Sequence, residues 1–349
     1  MFRKVIYVFL CVLFLLLFLP AYSLVFKSFL IFCISLVTAL LFPFVKKKQS
    51  TIRYVAGGIS ALSLLFLILF FPSRSISEES PMTFFLDEKG NRVEEPLSSY
   101  LCNFITEADV VRISSFYSAI LPVPAGGVIA EEWLEMNVYD NVFLHEYERS
   151  MEKPCVSQIT PFQALQDAGF YKGMRHFYCY VPDHLPNAKP MRVVVFLHGY
   201  MGNFQFYQNY FRSLENTVVL TPSTDDLNGK WKASDINDIL RIYLPLVNKR
   251  VKIDFKNVHL MGLSNGGSGV NAAINTYPSS FRSFTFISAY PEAFTPKRIR
   301  IICGMKDSFA AQNREYLKEH PSVQHLFFKN ERHFALLNKK EEILKFLSK

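Results

Sequence analysis

The sequence predicts an α/β protein, a mostly parallel sheet with helices on both faces, preceded by three transmembrane helices. Three observations carry that prediction. From residue 175 onward, short runs rich in Val, Ile and Phe alternate with helical patterns. Those runs are apolar throughout rather than at every second position, as strands covered on both faces are. Upstream, residues 1–71 contain long apolar runs and no Asp or Glu.

The apolar runs are residues 5–22, 24–45 and 54–71, each close to the roughly 20 residues that cross a bilayer. Pro20, Ser23 and Lys27 mark a tight turn between the first two, and a lysine at a helix end can reach the headgroups. Arg3 and Lys4 precede the first run, and Lys46, Lys47, Lys48 and Arg53 separate the second from the third. Lys and Arg accumulate in cytoplasmic loops. The N-terminus is therefore expected inside, and everything after about residue 73 outside the cytoplasm. A cleaved leader is the alternative for the first run, with Pro20-Ala21-Tyr22-Ser23 as a poor cleavage site.

Charge follows the same division. Seven of the 38 Lys and Arg lie in residues 1–71, and the other 31 face all 30 Asp and Glu, so the net +8 splits into +7 and +1. Basic chains often bind nucleic acid, but this excess sits at the ends of apolar runs. Nucleic acid is set aside, and the lipid bilayer is the expected partner. Of the six Cys, Cys11 and Cys33 fall in the spans, and Cys179 and Cys303 fall in strand-like runs and are expected as buried thiols. An outer compartment permits disulfides, so a Cys102–Cys155 bridge stays open. The spacings match no zinc site.

Residues 73–100, rich in Ser, Glu and Pro, read as a tether with a short extended piece at 82–86. Residues 101–173 form an extension that could serve as lid, docking segment or extra core. Partial helical periodicity at 106–121 is broken by Pro122 and Pro124. Residues 160–169 read as a short helix capped by Thr160, opened by Pro161 and ended by Gly169. Residues 174–349 form the regular domain. Strands are expected at 175–181, 192–197, 217–220, 257–261, 281–288, 298–303 and 323–328. Helices are expected at 234–247, 267–276, 310–319 and 334–347, the first with Ser234 as its cap and Asp235 in its first turn.

Between the strand at 257–261 and the helix at 267–276 stands Gly262-Leu263-Ser264-Asn265-Gly266. A Gly-x-Ser-x-Gly at a strand-to-helix junction is the pattern of a turn that lifts a serine hydroxyl out of the backbone. The glycines admit close backbone approach where a Cβ would clash. A serine needs a base to take its proton and a third group to orient that base. In this architecture the chain order is Ser, then Asp or Glu, then His. Asp307 follows the strand at 298–303, and His333 follows the strand at 323–328. Reacting groups gather outside the carboxyl ends of parallel strands, so all three are expected at one edge. The rivals fit less well. Asp225 and Asp226 precede the elbow, His325 lies within a strand, and His320 ends a helix. The plain alternatives are a turn serine at 264 and a helix-capping carboxylate at 307. An oxyanion hole needs two backbone N–H groups. Asn265 supplies one, and Tyr200, or Met201 as alternate, the other, from the loop His198-Gly199-Tyr200-Met201 in which His198 is structural. Of Tyr200, Phe204, Phe206, Tyr207 and Tyr210, most are expected to pack rather than line an acyl pocket.

With those motifs in place, residues 174–349 resemble the α/β-hydrolase superfamily. The closer similarity is to secreted esterases of the polyhydroxybutyrate-depolymerase and feruloyl-esterase type. The likeness rests on Leu197-His198-Gly199, a loop with Trp231, Asp235 and Asp238, Val251-x-Ile253-Asp254, and the run from Val258 to Gly267. The resemblance implies hydrolysis of a small-molecule or envelope carboxylic ester through an acyl-serine, without metal or organic cofactor. It covers half the chain. A serine peptidase or acyltransferase on the same fold, and a non-catalytic envelope binding protein, are the alternatives.

Overall fold

In the computed structural model the described residues are 82–87, 89–91, 175–182, 189–200, 203, 206–224, 229–292 and 298–348, with isolated positions 32, 58, 61 and 62. Those four positions apart, the three apolar runs lie outside this set, as do the segments 106–121 and 160–169 and Cys11, Cys33, Cys102 and Cys155. So do Met201, Phe204, Asp225 and Asp226. Among the described residues no helix is long and apolar enough to cross a membrane.

The strands are β1 (Met82–Leu86), β2 (Arg175–Tyr180), β3 (Met191–Leu197), β4 (Thr217–Pro222), β5 (Ile253–Leu263), β6 (Ser283–Ile287), β7 (Ile299–Gly304) and β8 (Gln324–Phe328). They form one sheet in the order β1-β2-β4-β3-β5-β6-β7-β8. The pairs β1–β2 and β2–β4 are antiparallel, and the rest are parallel. Met82–Leu86, expected as a short extended piece, is the edge strand of this sheet.

The helices are α1 (Phe206–Phe211), α2 (Ala233–Asp238), α3 (Leu244–Asn248), α4 (Gly266–Thr276), α5 (Ala310–Glu319), α6 (Ala335–Asn338) and α7 (Lys340–Leu347). A π-helical segment, Ile239–Tyr243, joins α2 to α3. Strand β3 shows why both faces must be covered. Val193, Val195 and Leu197 enter the core beneath α2, α3, α4 and α5, while Val194 and Phe196 enter the core beneath α1, α6 and α7. Burying each such side chain stabilises the fold by roughly 1.5–3 kcal/mol. Phe206, Tyr207, Tyr210 and Phe211 belong to the second core, with the Phe196 ring 4.6 Å from that of Tyr207 and 5.0 Å from that of Phe211. Their packing role is as expected. Cys179 and Cys303 are buried free thiols, also as expected, and burial pushes both up to about 12.

The cap of α2 differs from expectation. The helix begins at Ala233 with Lys232 at the N-cap, so Ser234 is already inside it. Asp235 does the capping, accepting the Lys232 N–H at 2.7 Å. A carboxylate in the third helical position reaches back in this way and also complements the helix dipole.

The sheet changes direction of growth at β3. Strand β4 lies on one side of it and β5 on the other. In open α/β sheets, ligands bind at the carboxyl edge beside such a point.

Candidate active site

Strand β5 ends at Leu263 and α4 starts at Gly266, leaving Ser264 at the corner with φ 53°. A left-handed backbone costs a non-glycine residue about 1–3 kcal/mol and persists only where the surroundings impose it. Here the Ser264 N–H donates to the Ile287 carbonyl at 2.9 Å, and its own carbonyl accepts from the Gly267 N–H at 2.9 Å. A Cβ on Gly262 would overlap the Gly266 carbonyl, and one on Gly266 would overlap the Leu197 carbonyl. The two motif glycines thus let β5, α4 and β3 meet backbone to backbone beneath the serine.

The loop after β3 passes beside that corner. A Cβ placed on Gly199 would stand 3.1 Å from the Ser264 Cβ. Tyr200 follows, half-buried. His198 is wholly buried, and its tautomer follows from its partners. Nδ1 faces the Gly199 carbonyl at 2.7 Å, which only accepts, so Nδ1 carries the proton. Nε2 then accepts the Thr224 N–H at 3.4 Å. Trp231 donates from Nε1 to the His198 carbonyl at 3.0 Å. Both ring nitrogens of His198 face main-chain atoms of these loops.

Asp307 lies in the loop after β7 and His333 in the loop after β8. Both are buried, and His333 Nδ1 sits 3.2 Å from each Asp307 carboxylate oxygen. A carboxylate accepts only, so Nδ1 is the nitrogen that carries a proton, and in the neutral ring Nε2 is the basic atom. Asp307 Oδ1 also accepts from the Phe309 N–H at 3.1 Å and the Ser308 hydroxyl at 3.2 Å. Burial alone would raise the Asp307 pKa. The His333 hydrogen bond and charge, with the Phe309 N–H and the Ser288 hydroxyl, outweigh burial and hold it below its ordinary value. The carboxylate is therefore ionised at neutral pH.

The rival histidines lie elsewhere. His325 is exposed in β8, with Nδ1 donating to the Val323 carbonyl at 3.1 Å. His320 ends α5, its ring 4.5 Å from that of Tyr316.

Sequence reasoning missed Ser288, the residue after β6. It is fully buried with φ 47°, and its hydroxyl donates to the His333 carbonyl. Its neighbour Ile287 holds the Ser264 N–H. Two adjacent residues thus tie the serine corner to the histidine loop. The only sequence signal was a serine closing an apolar strand, which is too common to stand out.

A parallel sheet bearing a Gly-x-Ser-x-Gly elbow, with Asp and His in later loops at the same edge, fits the α/β-hydrolase fold. No family model and no curated protein matches the chain. Solved structures do. One is a thermostable esterase, 18% identical, with a TM-score of 0.39 over 50% of this chain. The match spans 59% of that esterase. Another is an S-formylglutathione hydrolase from Staphylococcus aureus, 14% identical, TM-score 0.40, over 51% of this chain and 91% of that one. A third is the feruloyl esterase module from Clostridium thermocellum complexed with sinapinate, 14% identical, TM-score 0.42, over 50% of this chain and 83% of that one.

Proposed function

We propose that the chain is a membrane-anchored serine hydrolase that cleaves carboxylic esters outside the cytoplasm. The observation that carries this reading is the buried Asp307–His333 pair at the sheet edge where Ser264 stands in a left-handed turn. In the proposed reaction His333 Nε2 takes the Ser264 proton as Oγ attacks the ester carbonyl. Asp307 holds the Nδ1–H tautomer and stabilises the imidazolium that forms. The tetrahedral oxyanion is received by the Asn265 N–H, at the start of α4, and by the Tyr200 N–H, beyond the loop glycine that abuts Ser264. The imidazolium returns its proton to the leaving alcohol, and an acyl-serine remains. Water, deprotonated by the same His333, then releases the carboxylic acid and restores Ser264.

The test is covalent labelling of the full chain with a fluorophosphonate, alongside turnover of p-nitrophenyl esters. Both activities are expected, and both are expected to vanish in Ser264→Ala. Labelling that persists in that variant would place the nucleophile elsewhere. The anchor and orientation rest on the apolar runs and their flanking Lys and Arg. Protease protection of a C-terminal tag tests them, and a cytoplasmic tag would overturn that half of the reading.

A further inference from the structure

At the sheet edge opposite Ser264, the amino-terminal ends of β3, β6 and β7 open on a cavity of about 720 Å³. Arg192, Arg282, Arg298 and Arg300 line it, and no Asp or Glu does. Arg192 Nη2 and Arg300 Nη1 donate to one oxygen, the Leu347 carbonyl, at 3.2 and 3.3 Å. Two guanidinium groups from strands β3 and β7 therefore converge at the C-terminal end of α7. Arg300 Nε donates to Gln324 Oε1 at 3.0 Å, and Arg298 Nη1 to the Arg282 carbonyl at 3.4 Å.

These contacts satisfy some donors but supply little negative charge. A helix C-terminus offers about half an elementary charge, and it faces Arg192 and Arg300 only. Among the described residues none of the four arginines is in an ion pair. The Nε of Arg192 is buried with no hydrogen-bond partner. His259 lines the same cavity as a neutral ring. Its Nε2 donates to Asn257 Oδ1 at 3.0 Å, and its Nδ1 accepts from the Ser283 hydroxyl at 2.6 Å. Burial first, then the positive field of Arg192, Arg300 and Arg282, holds the His259 pKa at about 3. The cavity is a positive site that the described residues leave uncompensated. Helix capping would account for two of the arginines, not for four around one cavity.

We propose that this cavity binds a phosphate, phosphomonoester or diphosphate group. A single carboxylate carries one charge, too few for four guanidinium groups. A phosphate carries nearly two and presents several oxygens to the fork of an arginine, the pairing that arginine matches best. The cavity has room for the substituent that such a group carries. The same chemistry is offered by a soluble phosphate ester and by the headgroup of an anionic phospholipid, and the experiment separates the two sources.

The full chain is reconstituted in phosphatidylcholine nanodiscs, and its melting temperature is followed with pyrophosphate against sodium chloride of matched ionic strength. A second arm replaces part of the phosphatidylcholine by phosphatidic acid. Both arms are repeated with Arg282→Gln/Arg298→Gln, whose side chains are exposed and whose loss should leave the fold intact. Fluorophosphonate labelling of Ser264 reports that each sample is folded. A rise with pyrophosphate identifies the soluble source, and a rise with phosphatidic acid alone the lipid source. In either case the apparent affinity is expected to fall at least about tenfold in the double variant, as losing charge-assisted hydrogen bonds would produce. Absence of any rise in both arms, or an equal rise in the variant, overturns the proposal.

Discussion

The Ser288 hydroxyl donates to the main-chain carbonyl of His333, and both residues are buried. The Ser288 N–H is held in turn by the Ile302 carbonyl at 2.8 Å, so the tie is anchored on β7. The hydroxyl meets the His333 main chain and also favours the ionised Asp307 carboxylate, which makes Ser288 a positioning residue. Ser288→Ala is expected to lower kcat by about ten- to a hundredfold with KM little changed, the loss that a displaced catalytic group produces. Ser288→Gly, which relieves the φ of 47° while also lacking the hydroxyl, should show the same loss without lower stability. Full kcat in both variants would remove Ser288 from the positioning of His333.

Asp307→Asn tests the tautomer argument. The amide can donate to Nδ1, which moves the ring proton to Nε2 and leaves no lone pair for the Ser264 proton. A fall in kcat of about 10⁴-fold is expected, with the fold intact. The variant also changes acid stability, in a direction fixed by the folded pKa lying below the ordinary 3.8. Because the native carboxyl binds its proton less readily than the unfolded one, its stabilisation is present above the unfolded pKa and lost as pH falls through the native value. Denaturation midpoints measured below about pH 4 should therefore vary less with pH in Asp307→Asn than in the parent.

Gly304 abuts both the Asp307 loop and the His333 loop. A Cβ there would overlap the Glu331 and Arg332 carbonyls, and the Lys306 N–H donates to the Glu331 carbonyl at 3.0 Å. Gly304→Ala is expected to cost about 1–3 kcal/mol of stability, as overpacking does. It should also lower ester turnover, because Asp307 and His333 ride on the two loops that must separate. Urea denaturation and kcat measured on the same sample decide it. A variant that keeps both would show that the loops can part freely.

The parallel half of the fold was legible because its strands are buried on both faces. The apolar runs at β3, β6 and β7 mark their own limits to within about two residues. Strand β5 was read short because its first half carries Asp254 and Lys256 and exposes Phe255; only the buried half gives an apolar signal. The π-helical segment was invisible. Pro245 lacks the N–H that a regular helix would bond to the Arg241 carbonyl, and the chain widens so that the Leu244 N–H reaches the Ile239 carbonyl. Periodicity does not record that change. The closing helix was read as one but breaks at Lys339, with φ −125°. There the Tyr210 hydroxyl takes the Leu336 carbonyl at 2.7 Å, a contact across 126 positions. Strand β1 pairs with β2 across nearly ninety residues, and no local pattern announces such pairing. At the site, chain order selected Ser264, Asp307 and His333, and in the fold the last two form a buried pair while Ser264 stands at the corner after β5. Ser288 escaped because a positive φ and a single hydroxyl leave no periodic trace.

His259 gives the last prediction, one that does not depend on ester chemistry. Its pKa is about 3 in the fold against an ordinary 6.5. The unfolded chain therefore takes up a proton that the folded chain refuses, and stability falls as pH drops from about 6.5 toward 3. One such group contributes a slope of about 1.4 kcal/mol per pH unit across that window. His176, also buried and held at about 3, contributes a second slope of the same sign. His259→Gln removes its contribution, so the unfolding free energy of the variant should depend on pH less steeply between pH 6 and pH 4. Bound pyrophosphate should act in the same direction, because an anion among Arg192, Arg282 and Arg300 cancels part of the field that keeps the ring neutral. Parallel denaturation curves at a series of pH values measure both effects. An unchanged slope in His259→Gln would mean that the ring takes up its proton alike in the folded and unfolded chain, and that the fold does not hold it neutral.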